Sequence, residues 1–148
     1  MKIVTAMVCA ALFVAEGKTF FTKQEALQEV WGESEITVEQ ISDHTFYKSL
    51  DSKDHSSACF NTQRVRSKGQ TIMLHIADDG TIVDLLVCKF NEPIRYKAPP
   101  VFYQQFIGKK LDDDLRLKRG IDGVSGATLT SRATVKSVRE ILTAHAEK

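Results

Sequence analysis

The chain has 148 residues, enough for one domain with a hydrophobic core and too few for two. Hydrophobic residues make up 43% and charged residues 26%, an ordinary globular composition, and the formal net charge is +1. A chain without a strongly basic surface is a poor candidate for binding nucleic acid, so we expect no nucleic-acid partner.

The first residues have the layout of a secretory signal peptide. Lys2 precedes an apolar run from Ile3 to Val14, and small residues follow up to Gly17. The run is shorter than the roughly 20 residues that a bilayer-spanning helix needs. We therefore predict a signal peptide at 1–17 and a mature domain at 18–148, in an exported, periplasmic protein that is free or membrane-associated. A buried N-terminal helix or an uncleaved anchor is the alternative.

The mature domain opens with a predicted helix. Thr22 is a suitable N-cap, Glu25 completes a capping box, and Gly32 ends the helix. The polar stretch that follows, up to about residue 57, is predicted to be a loop with a short helical turn. Its histidines, His44 and His55, lack the spacing of metal ligands, and we expect no metal site.

Three strands follow, with the sequences ACFNTQRVRS, QTIMLHIA and TIVDLLVCKF, separated by the turn dipeptides Lys-Gly and Asp-Gly. They predict an antiparallel meander. If both turns are tight, Thr71 lies opposite Cys88 on one side and opposite Arg66 on the other. Cys59 then lies about 23 Å along its strand, too far for a disulfide with Cys88, because a disulfide requires Cα atoms within about 7 Å.

The rest of the chain contains two predicted helices joined by loops. The proline-containing stretch NEPIRYKAPP is a loop, VFYQQFIGKK is a short helix that stops at Gly108, and LDDDLRLKRG is a charged loop whose consecutive aspartates lack the alternating pattern of a calcium site. The last helix is predicted from about residue 130 to 146, with an apolar stripe at helical spacing. The fold class is therefore α+β, a small antiparallel sheet packed with helices.

The segment DGVSGATLTS precedes this last helix and concentrates small and hydroxyl residues. We expect Thr130 or Ser131 to cap the helix, whose first N–H groups have no internal partner and favour an anion such as phosphate. Gly126 lets the backbone approach such a group closely. Helix physics leaves two interpretations open: a capped helix start with a glycine turn, and a phosphate site.

The same segment resembles the attachment motif of the FMN-binding domain family. Asp122 and the run Ser125–Thr128 match the family pattern of an aspartate followed by Ser/Thr-Gly-Ala-Thr. The resemblance extends upstream, through Glu92-Pro93 and a Gln-Phe-x-Gly-Lys helix end, and covers roughly Thr71 to the C-terminus. This chain has NEPIRY where many relatives have Glu-Thr-Pro-Gly. The family includes flavin subunits of the sodium-pumping NADH:quinone oxidoreductase and of Rnf-type complexes.

The resemblance implies that FMN is joined through its phosphate to the side-chain oxygen of Thr128 by a dedicated flavin transferase. The cofactor-binding residues that it implies are Thr128, Ser125, Gly126, Ala127, Asp122, Leu129, Thr130 and Glu92. It also implies an electron carrier rather than a stand-alone enzyme, with no catalytic residues of its own. The expected partners are redox proteins such as a cytochrome or a reductase, or a membrane complex.

Two other functions stay open at this point. The chain could be a flavin-bearing regulatory or assembly module of a reductase system without turnover of its own. It could also be a plain phosphate- or ligand-binding domain whose threonine remains unmodified.

Overall fold

The computed structural model describes residues 18–53 and 55–148, which build a six-stranded antiparallel sheet with helices on both faces. The predicted signal peptide, residues 1–17, lies outside the described residues. The strands are β1 (Lys18–Thr19), β2 (Ile36–Ile41), β3 (His44–Ser49), β4 (Ser57–Arg64), β5 (Gly69–Ile76) and β6 (Ile82–Phe90). The helices are α1 (Lys23–Trp31), a 3₁₀ turn (Ile94–Tyr96), α2 (Pro100–Gln104) and α3 (Thr128–His145). The predicted α+β class is confirmed.

The predicted three-stranded meander is confirmed as the centre of the sheet, whose order is β1-β6-β5-β4-β3-β2. Its register differs from the prediction, because Thr71 pairs with Thr62 and with Lys89 rather than with Arg66 and Cys88. The reason is that β4 and β5 are joined by four residues, 65–68, rather than by a tight Lys-Gly turn. On the β6 side, Thr71 pairs with Lys89 instead of Cys88 because β6 has a bulge at this point.

The loop predicted between α1 and β4 is wrong, because this segment forms the hairpin of β2 and β3. The two strands pair over their whole length, from Ile36 opposite Ser49 to Ile41 opposite His44. Most of β2 is exposed because it lies at the sheet edge, so its polar residues mask the alternation that marks a half-buried strand.

Two hydrophobic cores lie on opposite faces of the sheet. The larger one packs α2 and α3 against inward side chains of β4, β5 and β6, and the smaller one packs α1 against the other face. Cys59 belongs to the first core and Cys88 to the second, and both thiols are free and buried. The sheet itself therefore separates the two cysteines, rather than the long distance along the strands that was predicted.

The predicted capping box of α1 is present. The Thr22 hydroxyl accepts the Glu25 N–H at 3.2 Å, and the Glu25 carboxylate accepts the Thr22 N–H at 2.8 Å. Gly32 follows the last turn with a φ of +62°, as predicted for a helix-ending glycine. None of the helices between residues 18 and 148 that the structure describes has the length and apolar character required to cross a membrane.

Candidate functional site

The last helix, α3, begins two residues earlier than predicted, at Thr128, and its N-cap position is occupied by Ala127. The prediction that Thr130 or Ser131 caps the helix is wrong. Both lie inside its first turn, where the Thr130 hydroxyl donates to the Tyr96 carbonyl at 2.5 Å and the Ser131 hydroxyl donates to the Ala127 carbonyl at 2.9 Å. The Thr130 hydroxyl therefore ties the helix start to the loop after β6, and neither hydroxyl caps the N–H groups of the helix start.

The start of α3 is thus left without a side-chain cap. The first N–H in its ladder that has a backbone acceptor is that of Ser131, which donates to Ala127 at 2.9 Å. Within the described residues, the N–H groups of Thr128, Leu129 and Thr130 have no such acceptor. Alanine is a poor N-cap, and uncapped N–H groups at a helix start favour an anion.

A tight turn leads into this helix start. The Ala127 N–H donates to the Val124 carbonyl at 3.0 Å, and Gly126, the third residue of the turn, has a φ of +82°. A type II turn requires a positive φ at that position, which glycine adopts without strain. The glycine of the motif is therefore explained by the turn that presents Thr128.

A pocket of about 230 Å³ opens beside the helix start. One wall is the run Gly126–Thr130, and the other is formed by the β4–β5 connection and the loop after β6. Of the predicted site residues, the structure brings six together around this pocket: Glu92, Gly126, Ala127, Thr128, Leu129 and Thr130. Thr128 and Leu129 are exposed there, whereas Ala127 and Thr130 are buried.

The other two predicted site residues, Asp122 and Ser125, are exposed and do not line the pocket. The backbone of Asp122 is held by the side-chain amide of Gln105, which donates to its carbonyl at 2.9 Å and accepts its N–H at 2.8 Å. Gln105 comes directly after α2, so this amide pair fixes the start of the attachment loop relative to that helix. The sequence motif contained Gln105 but gave no reason to assign it this role.

Glu92 is 3% exposed and its carboxylate organises the far wall of the pocket. One carboxylate oxygen, Oε1, accepts the backbone N–H groups of Ser67 and Lys68 at 2.6 Å each and that of Arg66 at 3.1 Å. These bonds, that of Lys68 foremost, lower the pKa of Glu92 because they stabilise the charged form. Glu92 therefore holds the β4–β5 connection in place, and contact of its side chain with a cofactor stays a prediction.

Tyr96 and Arg66 complete that wall, and Arg95 lies beside Tyr96 without lining the pocket. The Tyr96 hydroxyl accepts hydrogen bonds from Arg95 at 3.2 Å and from Arg66 at 3.4 Å, and both guanidinium groups lie near its ring. The hydrogen bond and the charge of Arg95 lower the pKa of Tyr96. The sequence pattern did not identify Arg66 or the neighbouring Val65 as pocket residues, because they reach the pocket only through the β4–β5 pairing.

A buried chain of hydrogen bonds connects the pocket wall to the core. The Tyr103 hydroxyl donates to Gln70 at 2.8 Å, Gln70 donates to Thr134 at 2.8 Å, and Thr134 donates to the Thr130 carbonyl at 2.8 Å. Burial raises the pKa of Tyr103. Since every member has a partner, this chain joins α2, β5 and the first turns of α3 rigidly.

A larger cleft of about 700 Å³ lies elsewhere, between the β2–β3 turn and later turns of α3. It contains none of the predicted site residues and is lined by side chains such as His44, Arg132 and Glu140. Among the described residues, no group of three or more His, Cys, Asp or Glu side chains is arranged to hold a metal ion. The smaller pocket is therefore the candidate site, because it unites the motif with a helix start.

Comparison with known proteins agrees with this assignment. The family model described as the FMN-binding domain matches residues 68–143, just over half of the chain, and this range includes both walls of the pocket except Val65 and Arg66. A search of curated proteins found no match. On the strength of the family match, the chain belongs to the FMN-binding domain family, and FMN is the cofactor that this family binds.

Proposed function

We propose that the protein is an exported electron-transfer flavoprotein that carries FMN covalently, through its phosphate, on the side-chain oxygen of Thr128. The observation that supports this most directly is the position of Thr128. It is the first residue of α3, it is exposed at the pocket, and its hydroxyl has no hydrogen-bond partner among the described residues. A hydroxyl so placed is accessible to a transferase and leads into a cavity.

The helix start suits a phosphodiester. Such a group keeps one negative charge, and the N–H groups of Thr128, Leu129 and Thr130 are uncapped at the positive end of an 18-residue helix. A phosphate on the Thr128 side chain would lie within reach of these groups. This agrees with an alanine at the N-cap, where a serine or aspartate would compete with the phosphate for the same donors.

The pocket suits only part of an FMN molecule. Its volume of about 230 Å³ is below the roughly 300–1,000 Å³ of pockets that enclose small ligands. We infer that the cofactor stays partly exposed, which favours exchange of electrons with partner proteins over catalysis on an enclosed substrate. A covalent tether would prevent its loss by dilution outside the cell, because it makes binding a local event.

The chain's own residues position and tune such a group. When bound, FMN supplies one- and two-electron redox chemistry that is a property of the cofactor itself. Glu92 fixes the β4–β5 connection, Gln105 fixes the attachment loop, and Arg66 contributes a positive charge beside the pocket. Asp122, exposed at the start of the loop, is proposed as a contact for the flavin transferase.

The test is the intact mass of protein produced together with a flavin transferase in an exporting host. Wild type is expected to gain the mass of FMN minus water and to show flavin fluorescence after denaturing electrophoresis. Thr128→Ala is expected to lose both signals. Thr143→Ala is the matched control, because Thr143 is an exposed threonine near the other end of the same helix. Wild-type protein without added mass, or flavin retained in Thr128→Ala, would contradict the proposal.

Export is tested on the same sample. If the predicted cleavage is correct, the N-terminus of periplasmic protein should be Lys18. Protein that remains in the cytoplasm with its first residues intact would refute this part of the proposal while leaving the flavin assignment unaffected.

A further inference from the structure

Four cations surround the pocket end of the sheet and are held against aromatic rings. The Nζ atoms of Lys18 and Lys97 lie 5.3 and 5.5 Å from the centre of the Phe20 ring. The guanidinium carbons of Arg95 and Arg66 lie 4.7 and 5.8 Å from the centre of the Tyr96 ring. We name these four side chains, Lys18, Arg66, Arg95 and Lys97, the basic rim.

The two rings belong to one structure. Phe20 and Tyr96 both pack against the small hydrophobic cluster of Val65, Phe90 and Ala133, which lies directly beneath the pocket wall. Cation–π contacts of this kind restrict long side chains that would otherwise move freely. The four side chains of the basic rim therefore lie around one hydrophobic cluster and favour positions next to its two rings.

The charge of the basic rim is not neutralised within the described part of the chain. None of the four side chains forms an ion pair there; the pairs observed are Lys48–Glu39, Lys110–Asp79 and Lys136–Glu140. The nearby Glu92 is buried and directs Oε1 to backbone N–H groups. Of the four cations, Arg66 lines the pocket, and the other three lie against Tyr96 or Phe20, two rings that pack on the same hydrophobic cluster.

Exposed apolar side chains accompany the basic rim. Ile94, next to Arg95, is 57% exposed, and Leu129, which lines the pocket, is 43% exposed. An apolar centre with a charged periphery is the usual composition of a protein–protein interface. Small interfaces of this type are typical of transient electron-transfer encounters.

We propose that the basic rim is the docking surface for an acidic face of an electron-transfer protein. This inference rests on the proposed function, because it concerns the partner that receives or supplies the electrons of the flavin. Opposite charges around the pocket would steer the partner so that its redox centre approaches the exposed part of the cofactor. Such steering raises association rates by about 10- to 1,000-fold and weakens as salt is added.

An acidic protein accounts for the arrangement better than an anionic membrane does. Both would be attracted to the basic rim, but a lipid headgroup accepts no electrons, whereas Arg66 lines the pocket proposed for the cofactor and Arg95 donates a hydrogen bond to Tyr96 in the pocket wall. Binding to anionic vesicles tests the membrane alternative.

The test uses two forms of one probe, native cytochrome c and its succinylated form, in which lysines are converted to carboxylates. Both carry the same haem, so surface charge is the intended difference. The flavin is first fully reduced with dithionite, and excess dithionite is removed. Each ferric haem then takes one electron and becomes ferrous, so one fully reduced flavin supplies two cytochromes and returns to its oxidised form with release of two protons. Binding to the flavin-free Thr128→Ala protein provides a readout that requires no electron transfer.

Wild type is expected to bind and reduce succinylated cytochrome c at least about tenfold better at roughly 20 mM than at roughly 200 mM salt, because added salt shortens the Debye length. Native cytochrome c should show no such loss with salt. The variant Lys18→Gln with Arg95→Gln should reduce the preference at low salt about fivefold or more. Neither residue lines the pocket.

The matched control is Lys23→Gln with Arg119→Gln, which removes the same charge elsewhere. Lys23 also lies over an aromatic ring, 5.7 Å from the centre of Phe60, and Arg119 is exposed. This control should behave as wild type. Equal effects of both double variants, or equal salt dependence with the two cytochromes, would overturn the inference.

Two further measurements separate the alternatives. Flavin content and the rate with a neutral quinone report on the proposed function alone, so their failure would not be confused with failure of docking. Binding to phosphatidylglycerol vesicles reports on a membrane. If the rim variant weakens vesicle binding but leaves cytochrome binding unchanged, the acidic-protein assignment is wrong.

Discussion

Replacing Glu92 by glutamine should show how strongly one buried carboxylate stabilises the pocket wall. Its Oε1 accepts three backbone N–H groups, at 2.6, 2.6 and 3.1 Å. Hydrogen bonds to a charged group contribute about 1.5–3 kcal/mol and neutral ones about 0.5–1.5 kcal/mol. Glutamine keeps an oxygen at this position but loses the charge, so each hydrogen bond should contribute about 1 kcal/mol less to stability.

Because three bonds to one oxygen are not additive, we expect the free energy of unfolding to fall by about 2–3 kcal/mol. For a chain of this size that corresponds to a Tm lower by about 6–9 °C. Urea unfolding of flavin-free protein, followed by the fluorescence of Trp31, the only tryptophan, measures the difference. Glu39→Gln is the control, since Glu39 is in an exposed pair with Lys48 and should contribute less than about 1 kcal/mol.

The effect should depend on pH in a defined direction. The pKa of Glu92 is lowered in the folded state, so its charged form stabilises the fold fully above the unfolded pKa of about 4.3. As pH falls below that value, the unfolded state takes up the proton first, and wild type loses its advantage over the variant. A difference below about 0.5 kcal/mol at pH 7, or one that persists unchanged at pH 3, would refute this reasoning.

Three further outcomes are expected. Gly126→Ala should lower the free energy of unfolding by about 1–2 kcal/mol and reduce flavin incorporation, because the φ of +82° at this position is unfavourable for alanine. The cost is one of backbone conformation, since no atom lies within 4 Å of an added Cβ. Equal flavin content in the variant and wild type would argue that the turn does not determine flavin attachment. Gln105→Ala should reduce flavin incorporation with little change in Tm, since it removes both bonds to the Asp122 backbone; a large loss of Tm would instead indicate a general folding role. Burial raises the pKa of the Cys59 thiol to about 12 and that of the Cys88 thiol to about 11. Both thiols should therefore resist iodoacetamide at pH 8 in the native protein and react with it in urea. Rapid labelling of the native protein would contradict their burial.

The central strands and α1 could be predicted because their signals are local. Apolar runs separated by glycine turns identified β4, β5 and β6, and the Thr22–Glu25 capping box identified α1. The β2–β3 hairpin could not be predicted from the sequence, because its turn lacks the glycine or asparagine that usually marks a hairpin. Instead Ser42 adopts a φ of +51° there.

The composition of the pocket depends on long-range contacts that no local pattern contains. The motif predicted Gly126 and Thr128 at the helix start, but the opposite wall requires the four-residue β4–β5 connection, which Glu92 holds from 24 or more residues away. Because the sequence predicted a tight Lys-Gly turn in place of this connection, it placed Thr71 opposite Arg66, whereas Thr71 pairs with Thr62. The helix start was misplaced because Thr130 and Ser131 have the right chemistry for a cap, yet their hydroxyls bond to Tyr96 and Ala127.

The attachment of FMN is tested most directly on one tryptic peptide. Cleavage after Arg119 and Arg132 releases residues 120–132, which contain the hydroxyl side chains of Ser125, Thr128, Thr130 and Ser131. In protein made together with a flavin transferase, fragmentation of this peptide should place the FMN phosphate on Thr128. An unmodified peptide, or FMN on any of the other three hydroxyls, would contradict the account.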